Sequence, residues 1–197
     1  MGNNQRKLLE RNLPMFDEMV VRNCAPTLAG IKVGSLFNCI GQTSEYTVEH
    51  VRSLNIRLRP YGVRLIPVCS DNKPSLVYMY RPEKLRKYFM EEGVRDLLSE
   101  FGYEPDDMEG CVKALISRLF ESDEFPHEIG LFLGYPSEDV RGFIENHACG
   151  SKCIGCWKVY GDVDEAKRRF ALYNKCTSVY CRRLREGSTI EKLTTAC

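Results

Sequence analysis

Two β-rich runs, Val63–Cys69 and Ser75–Tyr80, flank the turn segment Ser70-Asp71-Asn72-Lys73-Pro74, and they constrain the fold more than any other feature. Their valine, isoleucine and tyrosine content suits strands, and the residues between them predict a hairpin whose five-residue loop leaves the register open. Most other apolar patterns repeat at three- and four-residue spacing. Leu8, Leu9, Leu13, Phe16, Met19 and Val20 predict an amphipathic helix to about Arg22, kinked or broken at Pro14. Val48, Val51, Leu54 and Leu58 predict a second, capped by Ser44. Further helices follow from Leu85 and Phe89, from Val94, Leu97 and Leu98, and from Val112, Leu115, Ile116 and Leu119. Ile31–Cys39 reads as an early strand and Cys156–Tyr160 as a late one. Few strands among many helices predict an α+β fold, a small and mainly antiparallel sheet covered by six or more helices.

A chain of 197 residues can bury the core of one domain without covalent staples. A single domain over residues 1–186 is expected, with 187–197 frayed. The net charge of +1 offers no global field for nucleic acid or an acidic membrane. No apolar run approaches the ~20 residues that span a bilayer, and the opening MGNNQRKLLERN has no apolar signal region, so a cytoplasmic protein without a membrane partner is expected. Ten cysteines in such a compartment are reduced thiols, several of them small core residues.

The chemistry concentrates in Phe125–Tyr160, which holds two of the three histidines, three cysteines within eight residues, and the only tryptophan. Pro126 suits the first turn of a helix, with Ser122 or Asp123 upstream as a cap. His127 and Glu128 fall in that turn, where the helix dipole favours a carboxylate and a neutral imidazole able to accept a proton or a metal. Adjacent helical residues diverge by about 100°, so Glu128 does not orient His127 directly. Cys24 lies in the small-residue segment Cys24–Gly30, expected to be a loop; it is a candidate nucleophile with His127 as base, or else a buried thiol plugging a helix end. Cys24, His127 and Glu128 are thus the catalytic candidates, with simple capping and packing as their bland alternative.

Cys149-x3-Cys153-x2-Cys156 lets three thiolates converge on one zinc ion or iron–sulfur cluster, with Gly150 and Gly155 permitting tight turns and His147 available as a fourth ligand. The spacing resembles the cluster-binding triplet of radical S-adenosylmethionine enzymes. It comes too late in the chain for that barrel, and Gly155 stands where an aromatic residue is usual, which argues against radical chemistry. A glycine-rich connector with free thiols is the other reading. The helical pair around Gly134-Tyr135-Pro136 resembles a helix-turn-helix but is a poor DNA reader, because Glu138 and Asp139 would repel phosphates. The basic residues Lys167, Arg168, Arg169, Lys175, Arg182, Arg183 and Arg185 lie off the last helix's apolar stripe.

Cys24-Ala25-Pro26-Thr27-Leu28-Ala29-Gly30, Leu76-Val77-Tyr78-Met79-Tyr80-Arg81-Pro82, Pro126-His127-Glu128, Gly134-Tyr135-Pro136 and Trp157-Lys158-Val159-Tyr160-Gly161 together resemble an uncharacterised bacterial family, catalogued as a domain of unknown function, common in anaerobes and marked by its Pro-His-Glu motif. The resemblance implies one family domain over nearly the whole chain and a bacterial cytosolic origin; it implies no reaction. The expected function is a binding or accessory protein of thiol, metal or redox metabolism, with a small molecule or a protein as partner. The alternatives are an enzyme using Cys24 and His127, and a regulatory module binding nucleic acid or protein through the 126–147 hairpin. All depend on the proline-started turn and the sulfur-rich bend facing a common hollow.

Overall fold

The predicted hairpin is the centre of the molecule. In the computed structural model, which describes residues 3–70, 73–121 and 125–196, strand β2 (Arg64–Ser70) pairs antiparallel with β3 (Lys73–Tyr80) in the register Leu65↔Met79 and Val68↔Leu76, with an irregularity between Val68 and Ser70. The early strand, β1 (Gly34–Asn38), pairs antiparallel on the other side of β3 through Leu36↔Tyr78, giving the order β1-β3-β2. Asp71 and Asn72 of the expected turn, the expected caps Ser122 and Asp123, the side chains of Leu8, Leu9 and Leu13, and Cys197 lie outside the described residues.

Alternation along the central strand sends its side chains to two cores. Val77 and Met79 meet Phe37, Leu65 and the helices α1 (Asn3–Leu28), α2 (Ser44–Leu58) and α9 (Ile190–Leu193). Tyr78 and Tyr80 face the opposite way, toward α3 (Pro82–Phe89), α4 (Glu92–Glu100), α5 (Met108–Glu121), α6 (Ile129–Phe132) and α7 (Ser137–Glu145). A third, smaller core lies between the ribbon of β4 (Cys153–Ile154) and β5 (Lys158–Val159) and helix α8 (Val163–Arg185). The chain is therefore α+β, as its periodicities predict. The late strand differs from expectation: it pairs only with β4, in a sheet of its own.

Two other expectations are overturned by burial. Cys24–Leu28 is not a loop but the end of α1, which continues through Pro26. Val20, Val21, Cys24, Ala25 and Leu28 are all fully buried at helical spacing, and that burial outweighs the one helix hydrogen bond Pro26 cannot donate. The tail is not frayed either: Ile190 and Leu193 seat α9 in the core, and the Thr195 amide donates to the Leu28 carbonyl. A smaller difference is a Thr43 cap on α2, where Ser44 was expected; on the same helix His50 is buried and stacked on Tyr46 at 3.8 Å. Among the described residues no helix is long and apolar enough to cross a membrane.

Arg81 fastens these pieces together. It is completely buried, and its guanidinium donates to the carbonyls of Thr27 (2.6 Å), Leu28 (2.6 Å), Tyr61 (3.2 Å) and Thr195 (2.8 Å). A cation at the end of α1 meets the negative pole of the helix and satisfies carbonyls that the helix itself cannot. Replacing Arg81 by methionine should lower the unfolding free energy, read from urea titration, by about 3 kcal/mol or more, because buried acceptors lose charged donors. Arg81→Lys should recover little, since a single ammonium cannot span the same fork of carbonyls. A loss below about 1 kcal/mol for the methionine variant would contradict this role.

Candidate functional site

The sulfur-rich bend is a two-residue β-ribbon, too short to hold its own shape. Asp139, in the first turn of α7, anchors it. Its buried carboxylate accepts from the Trp157 indole Nε1–H at 2.6 Å and from the backbone amides of Tyr160 and Gly161 at 2.7 and 2.8 Å. Three donors around one carboxylate offset the cost of burying its charge. Gly142, one turn further along α7, packs so closely against Tyr160 that a Cβ would collide with the ring, and a Cβ on Gly155 would collide with Phe170 of α8. Trp157 is thereby held between Tyr135, stacked at 4.8 Å, and Phe170, edge-on at 4.5 Å. Asp162 caps α8 by accepting from the amides of Asp164 and Glu165, which fixes where the ribbon ends.

Between the ribbon and the α6–α7 hairpin lies a cleft of about 450 Å³, walled by Ile129, Leu133, Val140, Phe143, Ile154 and Trp157, with His127, Cys156 and Lys158 among its polar residues. His127 stands edge-on to Phe143 at 5.1 Å, and the Lys158 ammonium lies 5.8 Å from the centroid of the same ring. Lys158 also donates to the Ala148 carbonyl at 2.7 Å, fastening a stretch in which His147 and Ala148 both hold positive φ, 49° and 62°. Behind Tyr135, the Lys32 ammonium sits 5.2 Å from that ring and 5.9 Å from Tyr173. Burial draws Lys32 below the ordinary lysine value, while the sulfurs of Cys24 and Cys156 pull the other way. Burial also raises the Cys156 thiol, and Lys32 opposes that shift.

Residues 20–194 match the family described as Protein of unknown function (DUF3793). The chain belongs to that family. No curated protein and no solved structure matches it. In this member of the family, the segments that carry the resemblance meet as joints of the fold. Arg81 grips the Thr27 and Leu28 carbonyls, the Tyr88 hydroxyl donates to the Tyr135 carbonyl in the Gly134-Tyr135-Pro136 turn, and Asp139 binds the Trp157–Gly161 run.

The sequence candidates are distributed unevenly over this frame. His127 and Cys156 share the cleft. Cys24 does not reach it: the thiol is fully buried in the core beneath α1 and α2, on the sheet face opposite α6 and α7, where burial pushes it up to about 12. A nucleophile needs access and a thiolate, and Cys24 has neither, so the Cys24–His127 pair is not assembled. Glu128 is buried and accepts from Arg118 at 2.6 Å and from the Tyr103 hydroxyl at 3.1 Å, and with Arg118 and His127 it lines a smaller hollow beside the cleft. The pairing tethers the Pro126 turn to α5. Cys149, Cys153, Cys156 and His147 do not converge, and among the described residues no group of three or more His, Cys, Asp or Glu is placed to hold a metal ion. Pairing in the ribbon turns the sulfurs apart, Cys153 packing against the third core, Cys156 facing the cleft and Cys149 exposed. As placed, these four residues form no zinc or iron–sulfur ligand set. The basic face of α8 is partly neutralised, Arg168 and Arg169 by Glu165 and Arg182 by Glu186.

Asp139, Phe143 and Lys158 emerge only from the structure. In the sequence Asp139 reads only as an early acid of a helix, one that would repel phosphates. Brief alkylation of the native protein with iodoacetamide, followed by peptide mass spectrometry, should label Cys149 first. Cys24 should react at least about a hundredfold more slowly until the chain is unfolded. Native labelling of Cys24 at a rate like that of Cys149 would show that the core is open there.

Proposed function

We propose that this is a cytosolic binding protein whose site is the cleft between the α6–α7 hairpin and the β4–β5 ribbon, and that it takes a small, largely apolar molecule. The observation that carries the reading is the cleft itself: about 450 Å³ of space with walls of aliphatic and aromatic side chains and few polar groups. Ligand sites favour that combination of a concave apolar surface and sparse polar contacts. Its aromatic wall is fixed from behind by Asp139, so little ordering is needed on binding. The link to thiol chemistry enters only through Cys156 at the cleft wall.

The only tryptophan lines the cleft and reports on it directly. Titration with the neutral fluorophore N-phenyl-1-naphthylamine should quench Trp157 emission in a saturable, one-to-one manner. Ile154 is 71% exposed at the rim, so Ile154→Glu should leave the fold intact. It should weaken this probe by about tenfold through loss of apolar contact. A quench that never saturates, or an unchanged affinity in the Ile154 variant, would contradict the reading.

A further inference from the structure

The polar side chains of the cleft differ in what they leave free for a ligand. Among the described residues that line it, Asp139 is the only carboxylate, and the three donors that anchor the ribbon occupy it. The same bonding uses the indole N–H of Trp157, and the Tyr135 hydroxyl points to the Cys156 carbonyl at 3.4 Å. Besides the Cys156 thiol, what remains for a ligand is the Lys158 ammonium, which spends one of its three protons on Ala148, and the His127 ring, whose nitrogens have no hydrogen-bond partner among the described residues. These two flank the same Phe143 ring, one edge-on and one near its face. An apolar hollow with an ammonium and an imidazole at one wall, and no free carboxylate among its described lining residues, favours a negative charge at that wall.

We propose that the ligand is an apolar, ring-bearing molecule with a single anionic group, seated so that the ring lies against Trp157 and Phe143 and the anion lies between Lys158 and His127. This rests on the cleft being a small-molecule site. It adds the charge and the orientation of the occupant. The ring edge of Trp157 and the aliphatic wall supply affinity without direction. The charged hydrogen bond from Lys158 supplies direction and rejects the neutral analogue.

The test uses two probes with the same ring system, the neutral N-phenyl-1-naphthylamine and its anionic relative 1-anilinonaphthalene-8-sulfonate, each titrated against Trp157 emission in the full chain. The sulfonate should bind at least about tenfold tighter, as expected for one added charge-assisted hydrogen bond. That preference should shrink when sodium chloride is raised from about 20 mM to about 500 mM, while the neutral probe is unaffected. Lys158→Met should reduce the preference to within about twofold and leave the neutral probe unchanged, and Lys158→Arg should retain it. If both probes bind equally to the unaltered protein, the anionic assignment fails and the apolar site stands. If neither saturates, the site itself fails. Equal weakening of both probes by Lys158→Met would mean that Lys158 acts only by holding Ala148, which overturns its contact with the anion.

Discussion

The site depends on one buried carboxylate. Asp139 is 2% exposed, and a charge so placed is tolerable only because three N–H donors converge on it. Those donors come from the opposite side of the cleft, so satisfying the charge and closing the ribbon onto α7 are the same event. Without it, a two-residue ribbon would rest on the small core of Val159, Ala166, Phe170 and Tyr173 and on the hydrogen bonds of Lys158 to Ala148 and of Tyr135 to Cys156. The cleft is the space left over when the ribbon is held at its base by Asp139 and spaced from the hairpin by Tyr135 and Trp157.

A second joint, of opposite charge, works on the far side of the molecule. Arg81 leaves the central strand and collects carbonyls from the end of α1, from the turn after α2 and from the C-terminal segment. Nearby, Arg57 of α2 bonds Asp17 of α1 at 2.7 Å and pairs with Glu191 of α9. Glu191 is held near 2: burial alone would raise it, and the Arg57 hydrogen bond more than reverses that. One set of contacts thus closes the layer of α1, α2 and α9, and the other builds a hollow beyond the α6–α7 layer. The thiols follow the same division, with Cys24 sealed in the first and Cys156 open to the second.

The α+β class and the central hairpin were legible because they rest on local periodicity, which each segment carries by itself. The Pro126 turn and the sulfur-rich bend do border one hollow, but only His127 and Cys156 of the candidate residues face it. Glu128 is lost to Arg118, a partner ten positions earlier whose proximity is set by how α5 packs and not by spacing. Cys149, Cys153 and Cys156 have the intervals of a ligand set, yet strand pairing between Cys153 and Val159 fixes the directions of their side chains. The helical state of Cys24–Leu28 was not legible because it rests on the burial of Val20, Val21, Cys24 and Leu28, which outweighs the amide hydrogen that Pro26 lacks. Asp139 was invisible for the complementary reason, since nothing in Ser137-Glu138-Asp139 says that indole and amide donors approach from some twenty residues downstream.

Amide hydrogen exchange at Tyr160 and Gly161, resolved by NMR, tests most directly whether Asp139 holds the ribbon and so creates the cleft. If it does, both amides exchange far more slowly than in an unstructured peptide, with protection near that of Val159 in the ribbon. Exchange at the free-peptide rate while the β2–β3 amides stay protected would mean that the ribbon is not fastened to α7, and the cleft would lose its wall.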